Sequence, residues 1–157
     1  MAKVARAFGM NVLAYGPRYK PEMDENGCKA ATLDELLNNS DVISVNCPLF
    51  PETKELIRKE NIDKMKDGVI LVNTSRGAML NDADVRAALE SGKIGYLCTD
   101  VATVEPIPAD SPLLGAPNTL ITPHIAWAPK EARMRLMAIA ENNLRGYLAG
   151  EPINRVG

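Results

Sequence analysis

Five short runs of apolar and β-branched residues, separated mostly by segments of helical period, constrain this 157-residue chain more than any other feature. The runs are Val12–Tyr15, Val42–Val45, Val69–Val72, Ile94–Thr99 and Thr119–Thr122. Each is nearly continuous in apolar residues, as expected of a strand covered on both faces, and such strands joined by helices form a parallel sheet. The spacing predicts short helices around Leu33, Leu36 and Leu37, around Ile62 and Met65, and around Val85, Ala88 and Leu89, the last closed by Gly92. From Glu105 to Pro117 the connection holds four prolines, which exclude a regular helix and leave a structured loop. After the fifth run Pro129 suits the first position of a long helix with Leu136, Ala140, Leu144, Tyr147 and Leu148 on one face and Gly150 as its stop. The fold class is α/β, read as one domain.

Composition removes several classes of function. Eighteen basic against twenty acidic residues leave a net charge of -2, so no basic surplus exists to drive binding of nucleic acid. The longest apolar runs are strand-sized, short of the roughly 20 residues of a membrane span. The amino terminus has no secretory core, so a cytoplasmic location is expected. Three cysteines, Cys28, Cys47 and Cys98, form no metal-binding spacing and no disulfide framework; they are read as structural thiols, with no metal.

Open parallel sheets place their ligands just beyond the carboxyl ends of the strands. Here those positions carry Asn46, Cys47 and Pro48, then Asn73-Thr-Ser-Arg-Gly77, then Asp100, then His124. His124, the only histidine, suits proton transfer near neutrality, yet a hydrogen-bonded imidazole without a function would read the same. Arg76 and Glu105 taken singly read as solvated charges. At the other end, Val4, Ala5 and Phe8 have helical spacing over about two turns without a cap. In a dinucleotide-binding unit a strand and a glycine-rich turn come immediately before such a helix; they are not in this sequence.

The ordered set Asn73-Thr-Ser-Arg-Gly77, Asp100-Val101 with Glu105-Pro106, and Thr122-Pro-His-Ile-Ala-Trp127 resembles the D-isomer-specific 2-hydroxyacid dehydrogenases. Supporting pieces are Ala7-Phe-Gly-Met10, Leu33-Asp-Glu-Leu-Leu37, Pro48-Leu-Phe-Pro-Glu-Thr53 and Ser91-Gly-Lys-Ile94. The look is closest to the glycerate dehydrogenase or hydroxypyruvate reductase branch. The resemblance implies a Rossmann-like, doubly wound parallel sheet lacking its first strand and glycine loop. Residues 1–157 would be a partial NAD(P)-binding domain, with 129–157 the helix and tail that pack toward the substrate domain in full-length relatives. It further implies a small 2-oxo or 2-hydroxy acid as substrate, NAD or NADP as cofactor, a missing amino-terminal half as partner, and a homodimer in the full-length form.

By the same resemblance Arg76 would hold the substrate carboxylate through two parallel hydrogen bonds. His124 would give a proton to the substrate carbonyl oxygen, with Glu105 as its carboxylate partner. Cys47, Pro48 and Thr53 would lie on the adenosine side of the cofactor, Thr74 near the nicotinamide ribose and Asp100 at the carboxamide. Three positions depart from the pattern or stay open. Gly16 stands where the family carries an acid, with Arg18 nearby, so Arg18 either reads a 2′-phosphate or covers the adenine. Small Ala102 replaces a bulkier residue near Glu105. Trp127 either lines the substrate pocket or packs in the core. Other readings of the whole are a non-catalytic dinucleotide-binding or interaction module, and the inactive product of a truncated gene.

Overall fold

The computed structural model describes residues 1–16 and 27–156. The chain divides into two units, Met1–Pro123 and His124–Gly157. The first holds helix α1 (Ala2–Ala7), strands β1 (Leu13–Ala14) and β2 (Lys29–Ala30), helix α2 (Leu33–Asn39), β3 (Val42–Val45), α3 (Lys59–Ile62), β4 (Val69–Asn73), α4 (Asp82–Ser91), β5 (Ile94–Thr99) and β6 (Thr119–Ile121). The second is built on α5 (Lys130–Leu148). Every described strand pair is parallel: β1 pairs with β2, and β3-β4-β5-β6 form a four-stranded sheet in chain order. The architecture is that of an α/β, Rossmann-like fold.

All five expected strands form, each within one residue of its expected ends. β2 was not expected, because Lys29–Ala30 is two residues long and carries no apolar run. It exists through pairing: the Lys29 amide donates to Val12 O and the Ala31 amide to Ala14 O. Register places Ile43, Leu71 and Leu97 side by side across β3, β4 and β5, all buried. They pack with Leu37, Ile62, Met65, Val85 and Leu89 from the helices and the turn after α3. Burying one such side chain is worth about 1.5–3 kcal/mol.

Local chemistry starts and stops the helices that build this core. Thr32 and Glu35 form a reciprocal capping box at α2, with Thr32 N donating to Glu35 Oε2 at 2.8 Å and Glu35 N donating to Thr32 Oγ1 at 3.2 Å. At α4, Asn81 Oδ1 accepts from Asp84 N, and Gly92 closes the helix at φ 79°.

The expectation that both sheet faces are covered is corrected. Val42, Ile70 and Tyr96 form one row on the second face, and Ser44, Val72, Cys98 and Leu120 the next. Tyr96 is 56% exposed and Leu120 61% exposed. An apolar run reports a strand's preference for burial, and cannot report whether a neighbour is there to bury it.

In the second unit Pro129 occupies the N-cap position of α5, one residue before its first turn, without a side-chain capping bond, rather than the first helical position. Its tail folds back, with Glu151 N donating to Gly146 O and Asn154 Nδ2 to Asn143 Oδ1. The stripe Leu136, Leu144, Tyr147 and Leu148 is present and exposed. Among the described residues no helix is long and apolar enough to cross a membrane, and no group of three His, Cys, Asp or Glu is placed to hold a metal.

Candidate active site

One transverse row of the sheet positions the first unit's site. Val45, Asn73, Thr99 and Ile121 are register partners across β3, β4, β5 and β6, so the four strands reach the same edge together. The residues that follow them, Asn46-Cys47, Thr74-Ser75-Arg76, Asp100 and Thr122, therefore line that edge. This is the edge where open parallel sheets take ligands.

Two buried polar side chains in that row shape the loops. Asn73 is fully buried; its Nδ2 donates to Arg76 O at 2.9 Å, and its Oδ1 accepts from Ser75 N at 3.0 Å. Both ends of one amide thus hold the turn that carries Arg76. Ser75 Oγ ties the same turn to β3 by donating to Val45 O at 2.9 Å. The Arg76 side chain stands exposed, with Nη1 donating to Ser75 O at 2.7 Å. Thr99 Oγ1 donates to Val101 O at 2.7 Å and turns the chain after β5.

Asp100 is 5% exposed, with its amide donating to Asn73 O and its Oδ1 accepting from Thr122 Oγ1 at 2.5 Å. It is a buried carboxylate fixed at a strand end, an acceptor aimed by its neighbours. In the proline-rich loop Glu105 is exposed, and its Oε1 accepts from Ala102 N at 3.1 Å. The Arg76 and Glu105 loops meet at Gly77, which is buried against the Ala102 and Thr103 backbone so closely that a Cβ there would overlap it. Small Ala102 thus coincides with a tight crossing of two loops.

The remaining expected cofactor residues fall as follows. Cys47 is partly buried, and that burial pushes its thiol up from its ordinary value. Pro48 is exposed, and Thr53 holds the loop it belongs to: its hydroxyl donates to Pro48 O at 2.9 Å and accepts from Phe50 N at 2.7 Å. Thr74 is exposed. Arg18 lies outside the described residues.

His124 opens the second unit and adopts φ 53°. The core alternative for Trp127 is corrected: the side chain is 59% exposed, and its indole Nε1 donates to His124 O at 2.7 Å. Asn73 and Gly77 stood in the strand-end motif without roles of their own. The signal for Asn73 was its own type, since Asn at the end of a strand favours side-chain bonds to a following turn. For Gly77 nothing local distinguished a close backbone approach from an ordinary turn glycine.

Comparison with known proteins identifies the family and the fold. A family model described as D-isomer specific 2-hydroxyacid dehydrogenase, NAD binding domain, matches residues 1–126. A hydroxypyruvate reductase of Blautia hydrogenotrophica is 54% identical over 98% of this chain and 48% of its own length. A glycerate dehydrogenase of Methylorubrum extorquens is 40% identical over 99% of this chain and 48% of its own length. The crystal structure of a glyoxylate reductase from Paecilomyes thermophila superposes with a TM-score of 0.89 at 38% identity, covering 99% of this chain and 47% of that one. The chain spans about half the length of the curated relatives it matches.

Proposed function

Since the chain belongs to the D-isomer-specific 2-hydroxyacid dehydrogenase family and matches its NAD-binding domain, we propose that it supplies the cofactor edge and the reacting groups of an NAD(P)-dependent oxidoreductase. The reaction interconverts small D-2-hydroxy acids and 2-oxo acids, with glycerate and hydroxypyruvate as the favoured pair. The observation that carries this reading is the shared row Val45-Asn73-Thr99-Ile121, which delivers Cys47, Thr74 to Arg76, Asp100 and Thr122 to one edge. The setting is the cytoplasm, in a homodimeric enzyme.

The residues present fit a nicotinamide dinucleotide. Asp100 offers a buried, oriented acceptor suited to a carboxamide N–H, while Thr74 would hold the nicotinamide ribose and Cys47, Pro48 and Thr53 would hold the adenosine. When bound, the cofactor supplies or accepts the hydride. Arg76 holds the substrate carboxylate; its exposed guanidinium projects from a turn that Asn73 and Ser75 make rigid. His124 gives a proton to the carbonyl oxygen in reduction and removes it in oxidation, and Glu105 is the third residue that the family resemblance assigns to the reaction. Arg18, two positions after Gly16 in the sequence, either reads a 2′-phosphate, which would favour NADP, or covers the adenine.

A graft tests this reading. This chain replaces the matched 154 residues of the Blautia hydrogenotrophica relative, and reduction of hydroxypyruvate and glyoxylate is followed with NADH and NADPH. His124→Ala should lower kcat by about 10²–10⁴-fold with little change in cofactor KM. Arg76→Lys should raise the 2-oxo acid KM and also lower kcat, because a point charge cannot reproduce two parallel bonds. Full turnover without the imidazole would remove His124 from the reaction. An NADH preference unchanged by Arg18→Ala would remove Arg18 from cofactor selection.

A further inference from the structure

His124 occupies the left-handed region at φ 53°, which side chains with a Cβ rarely adopt. Something must hold a non-glycine residue there. On its amino side Pro123 has a ring-locked φ. On its carboxyl side the chain makes a tight turn, closed by Ala128 N donating to Ile125 O at 2.9 Å, before Pro129 leads into α5. Trp127 lies within this turn, and its indole reaches back three residues to place Nε1 2.7 Å from His124 O.

Packing does not account for that side chain. Trp127 keeps 59% of its surface exposed, so most of its apolar area gains nothing from burial, whereas its single polar atom meets one carbonyl at good hydrogen-bonding distance. The carbonyl it holds belongs to the peptide that follows the His124 Cα. Fixing that peptide plane restricts rotation about the adjoining backbone bond, and with it the direction in which Cβ and the imidazole leave the chain.

We propose that Trp127 is a positioning residue, whose indole N–H holds the His124 carbonyl and so keeps the His124 backbone left-handed and its imidazole aimed. The proposal rests on the assignment of His124 as the proton donor. It gives Trp127 a part that needs the donor atom rather than the apolar ring.

One tryptophan and one histidine in the chain make the test sharp, because each gives a single side-chain signal in nuclear magnetic resonance. In the full chain the indole N–H should exchange with water at least about tenfold more slowly than in free tryptophan, as a bonded group does. Trp127→Phe keeps an aromatic ring and loses the donor; the His124 Cα and Cβ shifts and its backbone coupling should then move away from left-handed values. Trp127→Gln, whose amide nitrogen is as many bonds from Cα as the indole nitrogen, should keep them. In the graft Trp127→Phe should lower kcat by about tenfold at constant NADH KM, the pattern of a misaimed group, and Trp127→Gln should recover part of the loss.

Unchanged His124 signals in Trp127→Phe would overturn the clamp. Altered signals with wild-type kcat would overturn its role in positioning. Should His124→Ala retain activity, the assignment of the acid fails, and the resonance experiment still decides the clamp by itself. With His124→Ala inactive and Trp127→Phe indistinguishable from wild type, only the Trp127 inference falls.

Discussion

Replacing Gly77 by alanine should damage stability and turnover together, because the added methyl has no free direction. A Cβ at that position would meet the Ala102 carbonyl carbon and oxygen and the Thr103 nitrogen well inside 3.0 Å, and all three are backbone atoms. Rotamer changes cannot relieve such a clash. Ordinary van der Waals contact begins at 3.4 Å and the nearest backbone atom would stand at 1.9 Å, so the Arg76 and Glu105 loops must part by about 1.5 Å, more than the ~1 Å misplacement that can cost about 10²-fold in rate. Overpacking of a fitted interior costs about 1–3 kcal/mol, which in a chain of this length is a fall of about 2–12 °C in melting temperature. The control is Gly92→Ala, at φ 79° with no atom within 4 Å of the added Cβ. It should cost about 1–2 kcal/mol through left-handed strain and leave kcat alone. Melting is measured on the chain and kcat on the graft. A Gly77→Ala protein with unchanged melting temperature and unchanged kcat would show that the two loops do not cross as described.

Two further outcomes are expected. The capping box lowers the Glu35 carboxyl below its ordinary value near 4.5, chiefly through the bond from the Thr32 amide. Its stabilising contribution is therefore complete above that pH and is lost as pH falls through the lowered value; the urea midpoints of wild type and Glu35→Gln should converge as pH falls from neutral to below the ordinary carboxyl value, and a gap independent of pH would refute the ionic part of the cap. Tyr96→Lys with Leu120→Lys, placed on the open sheet face, should reduce self-association and binding of an apolar dye by the free chain while changing stability by only about 0.5 kcal/mol. Sedimentation that shows no change would mean the face is covered in solution.

The parts of the fold legible in the sequence were those governed by near neighbours. Val42–Val45 and Ile94–Thr99 have their observed bounds because a run of apolar and β-branched residues excludes most other conformations. Gly92 ends α4 because it alone takes a left-handed φ there without strain. Lys29–Ala30 was illegible for the converse reason, since its strand conformation comes from hydrogen bonds to β1 rather than from its own composition. Type and place after strands drew attention to Arg76, Asp100 and His124, while the roles expected of Arg76, Glu105 and His124 came from the family resemblance of the ordered motifs. Asn73 and Gly77 could not, because one acts through a buried amide shared with Arg76 and Ser75, and the other through an approach to residues 25 and 26 positions further on.

Sequence by itself determined every strand but Lys29–Ala30, the α/β class, and which charged and titratable groups follow the strands, because periodicity, caps and turn residues act over a few positions. Tertiary structure alone decided the register that brings Val45, Asn73, Thr99 and Ile121 into one row. It also decided the loop crossing at Gly77, the open second face of the sheet, and the use of Trp127 as a hydrogen-bond donor rather than a core side chain. These depend on distances between groups far apart in the chain, or on how a side chain's burial competes with its polar atom. No local pattern encodes either quantity.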